Sequence, residues 1–178
     1  MKHIIIILLT LPTIFVISGC SGSSEPEIVE TKTPYIGFDP IQRRVKVDEI
    51  FSLNLRTNLI TDTTFAISMR IILPAATIAF VDSLGFTPGT LFGDNGICFI
   101  KTEQIHARKS IIHLSFTCIN DEIPNTNTDL LGIFTFQAFQ KDTCKIQIDQ
   151  DNLHFFNKKG LPMNPDDFSI HDVQITIN

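Results

Sequence analysis

The chain has 178 residues and a formal net charge of −5. A mildly acidic chain without a basic cluster argues against nucleic acid as a partner. Fifteen Phe, one Tyr and no Trp favour packing in a core over exposed recognition platforms, because Tyr and Trp rings tolerate a wet edge better than Phe does.

The first twenty residues have the pattern of an export signal. Lys2 precedes an apolar run over Ile4–Leu9, and small residues precede Cys20. The segment Ile17-Ser18-Gly19-Cys20 resembles a bacterial lipobox, which implies cleavage before Cys20 and acylation of that cysteine. The alternative, a membrane-spanning helix, needs about 20 apolar residues, and Pro12 and hydroxyl residues interrupt this run.

We therefore expect three segments: a signal peptide over residues 1–19, a lipidated tether over residues 20–33 and a folded domain over residues 34–178. The tether is polar and cannot bury enough surface to fold. The expected location is the cell envelope, with the chain lipid-anchored outside the cytoplasm. Ser21 instead of Asp at the second mature position favours the outer membrane if the cell is Gram-negative.

The rest of the chain alternates apolar and polar residues with period two, as strands with one buried face do. Turn residues separate the alternating segments. Many short strands with regular turns predict an all-β antiparallel sandwich with little helix. The clearest segments are Phe51–Leu55, Phe65–Ile71, Ile112–Cys118, Cys144–Ile148 and Val173–Ile177.

One hairpin can be registered from its apolar pattern. A turn centred at Arg108 places Cys98 opposite Cys118, with both side chains on the apolar side. This register makes a Cys98–Cys118 disulfide possible in an oxidising compartment. The alternative is three reduced, buried cysteines, since Cys144 also has inward parity and Cys is often a small core residue.

Two segments, Val45–Leu53 and Asp129–Ala138, stand in an order and at a spacing that resemble those of cohesin domains, and the resemblance covers residues 35–178. Val45–Leu53 is similar to the opening "V-x-V-G-D-x-F-x-V" pattern, although Asp48-Glu49 replaces Gly-Asp. Asp129–Ala138 matches "G-x-L-a-x-I-T-F-x-A" best. A second departure is the segment around Ile72-Leu73-Pro74, where the family has Asp-Pro.

This resemblance implies a jelly roll of about nine strands, related to carbohydrate-binding modules, whose partners are dockerins. It also implies a recognition sheet that exposes the outward residues of three strands. Phe99 and Ile72 stand out there, because apolar groups on a polar face need a reason. The candidate binding residues are Ser68, Arg70, Ile72, Phe99, Lys101, His113, Ser115 and Thr117.

No nucleophile constellation or metal-ligand spacing is visible, so the sequence predicts neither an enzyme nor a metal or other cofactor. The leading interpretation is a membrane-anchored, cohesin-like module that binds a partner protein. One alternative is a carbohydrate-binding module of the same fold, for which the chain supplies few planar rings. Another is a structural envelope or assembly lipoprotein.

Overall fold

A computed structural model of the chain describes residues 34–61, 63–81, 85–93, 96–119, 124–126, 128–163 and 168–178. The predicted signal peptide, the tether and Cys20 lie outside these residues. None of the described residues forms a helix that is long and apolar enough to cross a membrane.

The described residues form fourteen strands and one short 3-10 turn at Gln150–Asn152. In chain order the strands are β1 (Tyr35–Asp39), β2 (Gln42–Val45), β3 (Ile50–Thr57), β4 (Thr64–Leu73), β5 (Ile78–Phe80), β6 (Phe86–Pro88), β7 (Ile97–His106), β8 (Lys109–Thr117), β9 (Leu130–Ala138), β10 (Asp142–Ile148), β11 (His154–Asn157), β12 (Pro162–Met163), β13 (Ser169–His171) and β14 (Val173–Ile177).

The strands form two sheets. The smaller sheet has the order β13-β1-β3-β9-β5, with β6 also paired to β9. The larger sheet runs β12-β11-β4-β10-β14-β2, and β8 and β7 extend it from the other side of β4. The all-β jelly-roll sandwich predicted from the sequence is confirmed.

Two details of that prediction are wrong. The count of about nine strands is too low. Several strands are short and pair along different parts of one longer strand, as β5 and β6 both do with β9. The sandwich is also not wholly antiparallel, since β1 runs parallel to β13 and β2 parallel to β14. Both parallel pairs involve the first two strands. The chain passes from one sheet to the other at Asp39-Pro40, between β1 and β2, and each of these strands lies along a C-terminal strand.

The core between the sheets is built from the inward residues of the alternating strands. Phe134 lies at its centre with its side chain fully buried, and its ring packs 4.7 Å from that of Phe86 and 5.9 Å from that of Phe136. Most of the described Phe side chains thus serve internal packing, as predicted, whereas Phe99 and Phe139 are exposed.

The β7–β8 hairpin differs from the predicted register by two residues. Cys98 pairs with Phe116, not with Cys118, because the hairpin closes at His106 and Lys109 after a bulge beyond Gln104. Cys98, Cys118 and Cys144 are thiols. The predicted Cys98–Cys118 pairing is therefore wrong, whereas the inward parity of Cys98 is right, because a shift of two residues preserves the face.

Candidate functional site

The candidate binding residues lie on the outer side of β4, β8 and β7 in the larger sheet. We call this surface the β4–β8–β7 face and define it by the eight predicted residues. Burial alternates along β4 and β8, so that Ile67, Met69, Leu114 and Phe116 are buried while the residues between them point outward.

The register aligns the predicted residues in rows across the face. Ser68 pairs with Ser115, which pairs with Phe99 on the other side. In the next row Arg70 pairs with His113, and His113 pairs with Lys101. The structure therefore brings these six residues together, as the parity of the strands predicted.

Thr117 and Ile72 lie at opposite ends of this surface. Thr117 pairs with Ala66 on β4 and Ile97 on β7. Ile72 is half-buried between Ile111 of β8 and Gln147 of β10. Ile72 belongs to the same face and shares its row with Glu103, but Ile72 itself lines neither depression.

A shallow polar depression of about 560 Å³ occupies the middle of the face. Its lining includes six of the predicted residues and four others. Nε2 of His113 lies 2.9 Å from Oε2 of Glu103, and the Ser115 hydroxyl donates to the Ser68 hydroxyl at 3.2 Å. The lining residues are Ser68, Met69, Arg70, Phe99, Lys101, Glu103, His113, Ser115, Asn152 and His154.

An apolar depression of about 220 Å³ adjoins the polar one. It is lined by side chains from β4, β7, β8 and β11, including Ile97, Phe156 and Thr117. Phe99 lines both depressions and is 57% exposed, and Ile97 is 54% exposed. Two large apolar groups thus stand side by side in solvent at the edge of a mostly polar sheet.

The polar depression carries more positive than negative charge. Arg70 and Lys101 contribute cationic groups, and Glu103 is the acidic side chain that lines it. The whole chain carries a net charge of −5, so this local excess of cations contrasts with the remaining surface. Such an arrangement favours a ligand with both an apolar group and a carboxylate or other hydrogen-bond acceptor.

Sequence reasoning missed five side chains that complete the face. Glu103 and Ile97 continue the period-two series through Phe99 and Lys101, so the sequence held a signal for both. Asn152, His154 and Phe156 arrive through the pairing of β11 with β4, which no local pattern in the sequence reveals.

The Cys98 and Cys144 thiols do not have the character of reactive cysteines. Burial raises the pKa of the Cys98 thiol to about 11 and also raises the pKa of Cys144, so both stay protonated at neutral pH. Catalytic cysteines instead have lowered pKa values. Within the described residues, no group of three His, Cys, Asp or Glu side chains is arranged to hold a metal ion.

A polar cluster lies where β1, β3 and the start of β9 meet. The Tyr35 hydroxyl donates to Asp129 at 3.1 Å, and Arg56 lies between the carboxylates of Asp129 and Asp39. Burial, followed by the hydrogen bond to Asp129, raises the pKa of Tyr35. The Tyr35 ring also stacks on His171. These contacts join neighbouring strands, so we assign the cluster a structural role.

Comparisons with known proteins support the fold. No protein-family model matches the chain, and no curated protein matches it. Solved structures do match. A type II cohesin domain from the cellulosome of Acetivibrio cellulolyticus aligns with a TM-score of 0.65 and 16% identity, covering 81% of this chain and 95% of that chain.

Two further matches are cohesins from clostridia. CaCohA2 from Clostridium acetobutylicum gives a TM-score of 0.60 at 14% identity, over 83% of this chain and 93% of that chain. The OlpA cohesin of Clostridium thermocellum, solved in a type I complex with the dockerin Doc918, gives 0.61 at 7% identity, over 83% and 100%. At these identities the likeness concerns the fold. The described chain has a cohesin-like fold.

Proposed function

We propose that this chain is a non-catalytic module that binds a partner protein through the β4–β8–β7 face. The observation that carries the proposal is the position of Phe99, whose exposed ring lies between the apolar depression and the polar depression. Exposed aromatic groups beside arginine are common anchors of protein interfaces. Strands of one sheet hold all these groups in a fixed register, which lowers the entropic cost of binding.

The partner that fits this face is a dockerin-like module. Cohesins of the same fold have been solved in complex with dockerins, which supports the proposal. The chemistry of the face requires an apolar side chain to cover Phe99 and Ile97, and an acceptor group to reach Arg70 or Lys101. The partner surface should therefore be mixed, with an apolar centre and acidic groups beside it.

Attachment to a membrane is the second part of the proposal. It rests on the lipobox-like segment ending in Cys20 and on the apolar run before it. Two or more acyl chains hold a protein firmly to a bilayer. An anchored module would collect its partner at the cell envelope.

A pull-down from the secreted proteins of the source organism tests the binding surface. The full chain serves as bait beside the variants Phe99→Asp and Ile41→Asp. Ile41 is a matched control, because it is 56% exposed and lines neither depression. The proposal predicts a prey protein that wild type and Ile41→Asp retain and Phe99→Asp loses. Equal recovery of every prey by all three baits contradicts it.

Metabolic labelling with palmitate tests the anchor separately. We expect the wild-type chain to incorporate label in a bacterial host and the Cys20→Ala variant to incorporate none. An unlabelled wild-type chain contradicts the anchor and leaves the binding surface unaffected.

A further inference from the structure

β7 is the one long strand at a sheet edge in the part of the chain that the structure describes. It runs for ten residues and pairs only with β8 among the described strands. The other edge strands are short: β2 has four residues, β5, β6 and β13 have three each, and β12 has two. Pro88 in β6 and Pro162 in β12 further limit pairing there.

A long edge strand presents unpaired backbone groups and can pair with another chain. Charged residues and bulges usually oppose such pairing, and β7 has both, in Lys101, Glu103 and the bulge beyond Gln104. The order of its residues, however, makes β7 complementary to itself. Two exposed apolar residues flank the two opposite charges, in the sequence Phe99, Lys101, Glu103 and Ile105.

We propose that two copies of this chain associate by antiparallel pairing of their β7 strands about a two-fold axis at Thr102. In this register Lys101 of each copy lies opposite Glu103 of the other, and Phe99 lies opposite the bulge at Ile105. Each contact occurs twice by symmetry. Oxygen Oε2 of Glu103 contacts His113, and the second oxygen of the same carboxylate accepts the lysine.

Neighbouring registers are less favourable. In an antiparallel ladder, backbone hydrogen bonds form between opposite residues whose N–H and C=O groups both point towards the other strand. These groups alternate in direction along a strand, so the register can shift only in steps of two residues. One step in either direction places Lys101 against Lys101 or Glu103 against Glu103. Like charges directly opposite each other are destabilising. Lys101 and Glu103 disfavour pairing of β7 with an unrelated strand. They favour pairing with a second copy of β7 in the one register that places opposite charges together.

The result is one continuous sheet across both copies, with two β4–β8–β7 faces side by side. This inference goes beyond the proposed function but shares Phe99 and Lys101 with the β4–β8–β7 face. Cross-linking at Thr102, which is not one of the eight residues of that face, therefore reports on the dimer independently of partner binding. Loss of the dimer and loss of partner binding are measured separately.

Cysteine cross-linking of the full chain in detergent tests the register. Opposite residues have Cβ atoms about 4.5–5.5 Å apart, close to the separation that a disulfide spans, so Thr102→Cys should give a covalent dimer under mild oxidation. Gln104→Cys is the matched control. Its two copies would be roughly 14 Å apart at 3.4 Å per residue, and we expect no covalent dimer. Equal cross-linking of both variants, or none with Thr102→Cys, overturns the proposal.

Sedimentation of the same full-chain preparations tests the charge pairing. Lys101→Glu alone should weaken dimerisation about tenfold, since it places like charges opposite each other at two symmetric positions. The double variant Lys101→Glu, Glu103→Lys should restore dimerisation, because it reverses both charges. A monomeric wild type at every concentration, or a double variant as weak as the single one, refutes the register.

Discussion

Nε2 of His113 and Oε2 of Glu103 lie 2.9 Å apart and join β8 to β7 on the outer side of the larger sheet. Their side chains are 28% and 50% exposed. Because exposed pairs of this kind contribute little, Glu103→Gln should change the free energy of unfolding by less than about 0.5 kcal/mol. Denaturant titration measures this change. A loss of stability several times larger would contradict this prediction and would mean that the His113–Glu103 pair is needed for folding.

The core should respond very differently. Phe134 is fully buried among the rings of Phe38, Phe80, Phe86 and Phe136. Phe134→Ala removes those contacts and leaves a cavity, so we expect it to lower the free energy of unfolding by about 3–5 kcal/mol.

Phe139 provides the control for this prediction, since its side chain is 45% exposed. Phe139→Ala should cost less than about 1 kcal/mol. Both variants are compared by linear extrapolation of denaturant unfolding. Similar losses for the two would contradict the position of Phe134 at the centre of the sandwich.

Asp48 occupies a backbone conformation that favours glycine. Its φ is 65°, and its N–H donates to the carbonyl of Ala138, which fixes the turn before β3. The resembled family has Gly at this position. Asp48→Gly should therefore stabilise the chain by about 0.5–1 kcal/mol, because Gly adopts positive φ without steric cost. A higher denaturation midpoint is the expected result, and a lower one contradicts the strained turn.

The Cys98 thiol should be slow to react. Burial raises its pKa from the ordinary value of 9.0 to about 11, which reduces the thiolate fraction at pH 8. The higher pKa also makes each thiolate more nucleophilic, which offsets only part of this reduction. Alkylation should therefore be slowed by about tenfold or more relative to a small peptide thiol. Peptide mass spectrometry during iodoacetamide treatment measures the rate. Alkylation at the peptide rate would show that the thiol is accessible.

The same raised pKa has a consequence for stability. The folded state disfavours the thiolate, so the protonated Cys98 thiol contributes to the free energy of unfolding. This contribution is complete below pH 9 and is lost as the pH rises towards 11. Cys98→Ala should consequently lose less stability than the wild type between these values. Parallel pH profiles of the two proteins would contradict burial of the thiol.

Period-two alternation revealed the strands that have one buried and one exposed face, such as β4 and β8. It did not reveal β1, where Ile36, Gly37 and Phe38 are buried in succession. Gly37 lies against His171 of the parallel strand β13, so no polar residue alternates there. A strand buried on both faces carries no periodic signal.

Parity also explains which parts of the site were predictable. It placed Ser68, Arg70 and His113 on one side correctly, because outward direction depends only on odd or even position. It did not determine the hairpin register, since a shift of two residues keeps the same faces and the turn decides the rest. His154 was missed because its place beside Ser68 depends on a long-range pairing.

Hydroxyl-radical footprinting of the full chain, with and without the protein that it captures, tests the central claim most directly. Phe99 is exposed in the chain alone and should be protected from oxidation when the partner is bound. Phe139, exposed but outside the lining of both depressions, should be oxidised equally in both states. Protection of Phe139 with no change at Phe99 would contradict the account.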